Sequence, residues 1–140
     1  KLNLIVKNNK ANYKFIYDKI SKIKKISFRK IPNKCKPLFD CLIFYLPNKN
    51  LANKFDKMLK SNKISTKNLP SAINWHFAKH WDHIFKKFGY TKKKLEKKFY
   101  KSSSFLERAI AIPISSKKDK KKINLIANKI LNIANILKLN

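Results

Sequence analysis

Residues 36–47 read KPLFDCLIFYLP, and this stretch constrains the fold more than any other part of the chain. Its apolar run from Cys41 to Leu46 is continuous and lies between Pro37 and Pro47. A strand that faces water on one side alternates apolar and polar residues, whereas an uninterrupted apolar run fits a strand covered on both faces. A covered sheet needs helices to cover it, and the flanking sequence supplies them. Residues 8–24 place Ala11, Phe15, Ile16, Ile20 and Ile23 near one face of a helix. Residues 26–32 alternate Ile26, Phe28 and, after a polar interruption, Ile31, which predicts a short strand ended by Pro32. Beyond Pro47, Asn48 or Asn50 can cap a helix in which Leu51, Phe55, Met58 and Leu59 recur at helical spacing.

The second half repeats this alternation less clearly. KISTKNLP (63–70) predicts a third short strand, and residues 91–109 hold one or two helical turns interrupted by three serines (102–104). AIAIPIS (109–115) reads as a brief extended segment broken at Pro113. A strong helix then runs from Ser116 to about Leu139, with Ser116 and Asp119 forming the capping box and Ile123, Ala127, Ile130, Ala134 and Leu137 its buried stripe. The predicted order α-β-β-α-β-(α)-β-α contains no internal repeat. It defines a single α+β domain over 1–140, a small and mostly antiparallel sheet flanked by helices. No apolar run approaches the ~20 residues needed to span a bilayer. KLNLIVKNN at the start is too short and too polar for a signal peptide, which places the protein in the cytoplasm. Lys1 stands where an initiator methionine is expected, so the chain reads as processed or as a piece of something longer.

The net charge of +28 raises the possibility of a nucleic-acid partner, because a cationic face gains affinity by releasing phosphate counterions. The kind of cation argues against it. Only Arg29 and Arg108 are arginine among 35 basic residues, and lysine lacks the planar fork used for bidentate phosphate and guanine contacts. Lysine, asparagine and isoleucine make up almost half of the chain, and all three have A/T-rich codons; nucleotide bias alone gives an ordinary enzyme this composition. The lysines are spread along the chain, with KKDKKK (117–122) the densest cluster. Cys35 and Cys41 lack a CxxC spacing and read as reduced thiols, Cys41 buried in its strand.

Chemistry gathers in NLPSAINWHFAKHWDHIF (68–85), which contains every histidine and both tryptophans of the chain. If 74–88 is helical, His76, His80 and His83 line one face at i, i+4 and i+7, with Phe77, Trp81, Ile84 and Phe88 beside them. H-x3-H is a zinc spacing, but the glutamate of an HExxH helix is missing and Asp82 points away from the histidines, so no metal is expected. Packing of the aromatic residues with surface histidines is a second reading. The third is a polar binding site: Asn74, the histidines and Asp82 exchange hydrogen bonds while Trp75 and Trp81 offer flat faces, a mixture that suits a sugar or similar polyol. Asn74, Trp75, His76, His80 and His83 are therefore the candidate substrate-binding residues. Elsewhere, Gly89 is the only glycine, so no glycine-rich phosphate cradle exists, and seven scattered carboxylates define no acid/base pair.

The order of these segments resembles the C-terminal small domain of the DegT/DnrJ/StrS aminotransferases, pyridoxal-phosphate enzymes that aminate keto-sugars. NYKFIYDKISKIKKISFRKIP resembles the helix and strand that open that domain. LFDCLIFYLPNKNLANKFDKMLKSNKISTKNLP is similar to its next strand, to a helix ending in Leu-x-x-x-Gly-Ile-x-Thr, and to a following strand. Here Asn62 is read at the usual glycine, with Ile64 and Thr66 in place. FLERAIAIPIS resembles the closing RxLxLPL segment, from Arg108 to Ile114. INWHFAKHWDH falls where the family's chain lies near the sugar, and its wording resembles that of enzymes aminating an octulosonic acid.

The resemblance implies fold-type-I architecture, a cytoplasmic homodimer, a keto-sugar substrate for surface polysaccharide or lipopolysaccharide, and glutamate as amine donor. It also implies pyridoxal phosphate held by a large catalytic domain that has no match here, so that this chain by itself binds no cofactor and is inactive. The alternative is a basic RNA- or ribosome-binding module that stacks bases on Trp75, Trp81 or the phenylalanines.

Overall fold

The computed structural model describes residues 1–66 and 77–140. In chain order its elements are α1 (Leu2–Ile20), β1 (Ser27–Phe28), β2 (Cys41–Tyr45), α2 (Lys49–Ser61), α3 (Asp82–Phe85), α4 (Lys92–Lys98), α5 (Tyr100–Leu106), β3 (Ala109–Pro113) and α6 (Lys120–Ile136). The apolar run after Pro37 becomes β2, the central strand of a three-stranded sheet in the order β1-β2-β3, antiparallel at both pairings. The α+β expectation holds. Register places Leu42 opposite Ile112 and Phe44 opposite Ile110, so the large side chains of β2 and β3 share one face. Leu42, Phe44, Leu46, Ile110, Ile112 and Ile114 are all buried there. On the other face Ala109 and Ala111 are buried, but Cys41, Ile43 and Tyr45 are only half-buried, so cover on that side is partial.

Three helices close the core face. α1 supplies Tyr13, Ile16 and Ile20, α2 supplies Ala52, Phe55 and Leu59, and α6 supplies Ile123, Ala127, Ile130, Ile133 and Ala134. Phe55 meets Phe44 edge to face at 5.7 Å, and burying each ring this way contributes about 1.5–3 kcal/mol from removal of apolar area. Ala127 and Ala134 carry short side chains on the face of α6 that helps close the core with α1. Polar ties fix α6 to both neighbours: Lys19 Nζ of α1 donates to Asn124 Oδ1 at 2.6 Å, and Lys129 Nζ of α6 donates to the carbonyl of Asn62, at the end of α2, at 2.7 Å.

Several boundaries differ from the sequence reading. α1 begins at Leu2 rather than near residue 8; no proline or glycine interrupts 2–20, so the backbone stays helical although Leu2, Leu4 and Ile5 are exposed. β1 is two residues long, extended by one more bond from Arg29 N–H to the Ile43 carbonyl (3.1 Å), before Pro32 removes a donor. Residues 64–66 of the expected third strand are not in a strand, and 67–70 lie outside the described residues. The three serines do not interrupt a helix. They lie within α5, where Ser104 Oγ donates back to the Lys101 carbonyl at 2.9 Å, and the break falls at Phe99 instead. α6 starts later than Ser116, because Asp119 is itself the N-cap, its carboxylate accepting from Lys122 N–H at 2.7 Å.

Two of the helices and one turn end with the same device. After α2, Ile64 N–H donates to the Leu59 carbonyl and Lys63 N–H to the Lys60 carbonyl, both at 2.9 Å, the paired bonds of a Schellman motif. The left-handed residue this requires is Lys63 (φ 58), not Asn62 (φ −85), so the position suited to glycine is one residue later than expected. The same pattern ends α6, with Lys138 at φ 53, and ends the turn after α3, with Gly89 at φ 71.

Candidate functional site

Asn74, Trp75 and His76 lie outside the described residues. The rest of the histidine stretch is not one helix. It is a 3-10 turn at Ala78–His80, then α3, then a second 3-10 turn at Lys86–Phe88. The single histidine face at i, i+4 and i+7 is therefore broken between His80 and His83. Both histidines are exposed; the His80 ring meets Phe77 edge to face at 5.9 Å, and His83 sits in the first turn of α3. Among the described residues no group of three or more histidine, cysteine or carboxylate side chains could hold a metal ion.

Aromatic packing sets this geometry. Phe99, at the junction of α4 and α5, takes Phe77 on one side (5.5 Å) and Phe85 on another (6.0 Å), and Phe85 also meets Tyr90 at 5.6 Å. With Leu95 fully buried, these rings form a small second core that anchors 77–90 against the α4–α5 pair. Ile84 and Phe88, grouped with Phe77 and Trp81 in the sequence reading, are exposed instead.

That anchoring opens a cleft of about 380 Å³ lined by Lys79, Glu96, Tyr100, Ser103, Ser104 and Glu107. Lys79 comes from the 3-10 turn that carries His80, and the others come from α4, α5 and the residue after it. The Ser103 hydroxyl is buried without a hydrogen-bond partner among the described residues, a costly state that a bound polar group would relieve. Glu107 is held by Lys49 at 3.6 Å across the surface. The set offers two carboxylate acceptors, three hydroxyls and one ammonium donor, which is binding chemistry for a polyhydroxylated ligand. The cleft is not among the sites expected from sequence, because three consecutive serines read locally as a helix break. The signal was present: Glu96, Tyr100, Ser103 and Glu107 are spaced by four, three and four, a polar stripe on a helical face.

The fold is that of one portion of the aminotransferases. Spr1654 from Streptococcus pneumoniae, described as a sugar aminotransferase, matches in its apo form with a TM-score of 0.69 at 11% identity, over 96% of this chain and 32% of that one. The aminotransferase TlmJ from Streptoalloteichus hindustanus matches at 0.67 and 8% identity, over 97% and 33%. The sugar aminotransferase CalS13 from Micromonospora echinospora matches at 0.63 and 12% identity, over 91% and 30%. This chain thus spans about a third of the length of each structure it matches. No family model matches the sequence.

Spr1654 is also known in pyridoxal-phosphate and pyridoxamine-phosphate forms. Such a cofactor needs a lysine for its imine, a carboxylate or arginine at its ring nitrogen, and a cradle for its phosphate. Among the described residues the lysine–carboxylate contacts are Lys14–Asp18, Lys60–Asp56 and Lys49–Glu107, each solvent-accessible. The one glycine closes a helical turn. The described residues do not by themselves supply that set.

Proposed function

We propose that this chain is the C-terminal small domain of a DegT/DnrJ/StrS-type sugar aminotransferase, with the cofactor held by a separate large domain. The observation that carries this reading is agreement of two independent kinds. The fold matches sugar aminotransferases over nearly the whole chain, and the order of sequence motifs from NYKFIYDKI to AIAIPIS resembles one domain of that family. In the complete enzyme, a cytoplasmic homodimer, pyridoxal phosphate supplies the amino-transfer chemistry with glutamate as donor. This chain's part is to bind and orient the keto-sugar, a precursor of surface polysaccharide or lipopolysaccharide, through His76, its neighbours Asn74 and Trp75, and His80 and His83.

A neutral imidazole can donate one hydrogen bond and accept another, so His76 can fix two points on a polyol. Losing that contact costs about 1–3 kcal/mol, which corresponds to a roughly ten- to hundredfold fall in kcat/KM for the keto-sugar in His76→Ala. The glutamate half-reaction stays unchanged, and His83→Ala has a smaller effect. Single-turnover measurement of the two half-reactions tests this. Equal losses in both, or a fall in Tm that accounts for the lost activity, would make His76 structural.

A second reading, a basic RNA-binding module, has one observation in its favour. Residues 86–101 carry exposed lysines at 86, 87, 92, 93, 94, 97, 98 and 101, with Phe88 and Tyr100 each 72% exposed beside them. Micromolar binding of single-stranded RNA at 150 mM salt, lost on charge reversal in α4, would favour that reading over the enzyme.

A further inference from the structure

In a chain with 33 lysines, positive charge alone never requires an arginine, so the two arginines mark places where the planar fork matters. Arg108 explains itself. Its Nε donates to the Ser104 carbonyl at 3.1 Å, another guanidinium nitrogen donates to the Leu46 carbonyl at 3.2 Å, and the plane lies 4.9 Å from the Phe105 ring centre. Arg29 has no such use. Among the described residues its guanidinium makes no hydrogen bond or ion pair, although its backbone N–H is fixed to Ile43 at the end of β1.

Arg29 lines a cleft of about 340 Å³ together with Tyr13, Tyr17, Phe28, Lys30 and Ile31. The walls are aromatic: Tyr17 and Phe28 lie 4.6 Å apart at 59°, and Tyr13 stacks on Tyr17 at 6.2 Å and 11°. Tyr13 is only 8% exposed. Tyr13 and a guanidinium fork without an acceptor among the described residues therefore line one aromatic-walled space. Burial raises the Tyr13 pKa above 10.0 while the charge of Arg29 acts to lower it, which places the two groups within electrostatic reach. Tyr13 thus stays protonated at neutral pH and is a donor.

We propose that this cleft binds a small anion that carries a planar ring, the ring against Tyr17 and Phe28 and the anionic group on the Arg29 fork and the Tyr13 hydroxyl. A carboxylate and a phosphate both match a guanidinium fork, so an aromatic carboxylate and a nucleoside monophosphate share the required chemistry. The site lies on α1 and β1, built from none of the residues of the Lys79–Glu107 cleft, and it stands or falls independently of the aminotransferase reading.

The test is titration of the isotope-labelled chain at 150 mM salt with uridine 5′-monophosphate and with 4-hydroxybenzoate, followed by NMR. Ribose 5-phosphate and acetate serve as ringless controls. The expected result is that one ring-bearing anion binds at least tenfold tighter than its control, with shifts at Tyr13, Tyr17, Phe28 and the Arg29 Nε–H. Whichever binds identifies the anionic group. Arg29→Lys, which keeps the charge but loses the fork, should weaken binding about tenfold, and Tyr13→Phe should weaken it less. Unchanged spectral dispersion confirms that each variant is folded. Equal binding of ringed and ringless anions, no binding of either ringed probe, or full affinity in Arg29→Lys overturns the proposal.

Discussion

Replacing Lys63 by glycine should stabilise this protein. Lys63 occupies the left-handed position of the Schellman motif after α2, with φ 58, and Lys138 does the same after α6, with φ 53. A left-handed conformation costs an L-residue about 1–2 kcal/mol, because Cβ crowds the following carbonyl. Glycine avoids that cost but loses more backbone freedom on folding, about 0.5–1 kcal/mol. The net gain expected for Lys63→Gly is about 0.5–1 kcal/mol. The paired bonds from Ile64 to Leu59 and from Lys63 to Lys60 stay in place, since both use backbone groups. Urea unfolding followed by circular dichroism should show a higher midpoint with unchanged slope, and Tm should rise by roughly 2–4 °C. Gly89→Ala is the reciprocal control. It sits at φ 71 with nothing within 4 Å of an added Cβ, so its expected loss is conformational alone, about 1 kcal/mol. A Lys63→Gly protein no more stable than the parent, alongside a neutral Gly89→Ala, would refute the assignment of strain to these positions.

Arg108→Lys should cost about 1–2 kcal/mol in urea unfolding, because one ammonium cannot serve both the Ser104 and Leu46 carbonyls and stack on Phe105; a neutral substitution would show the clamp to be inert. Asp119→Ala should lose about 1 kcal/mol as the N-cap of α6 while Ser116→Ala loses almost nothing, and the reverse order would restore Ser116 as the cap. The Tyr13 phenol has a raised pKa through burial, so the unfolded chain ionises first. Its contribution to stability is complete below pH 10 and fades as pH rises above that, through the folded-state pKa. Tyr13→Phe should therefore flatten the loss of stability above pH 10, and an unchanged alkaline profile would contradict the burial of this group.

What could be read from the sequence followed the strength of the local signal. The run from Cys41 to Leu46, the helix after Asn48, the segment AIAIPIS and the stripe from Ile123 to Ala134 each combine a strong apolar pattern with a capping or breaking residue, and each became the expected element. The misses have a shared cause, in that a tertiary partner decided what local chemistry left open. Ser102–Ser104 read as a break, yet Phe99 is where the helix pair divides, because its ring must reach both Phe77 and Phe85. The histidine stretch carried a plausible helical period, but 3-10 turns at Ala78–His80 and Lys86–Phe88 shift its register, and no local residue announces them. The polar stripe from Glu96 to Glu107 is present as spacing, but the serine run inside it reads locally as a helix break. Lys63 shows a different limit: in a chain nearly without glycine, the residue that normally marks a left-handed cap is replaced, and only the backbone reveals the position.

The central proposal is that this chain is the substrate-orienting domain of an aminotransferase whose cofactor is bound elsewhere. The most direct measurement is to express the complete reading frame and reduce the purified protein with borohydride. Mass spectrometry then locates the pyridoxyl-modified lysine. The account predicts one modified lysine, outside these 140 residues. A pyridoxyl group on any lysine from Lys1 to Lys138, or a complete protein that carries none after incubation with pyridoxal phosphate, would contradict it.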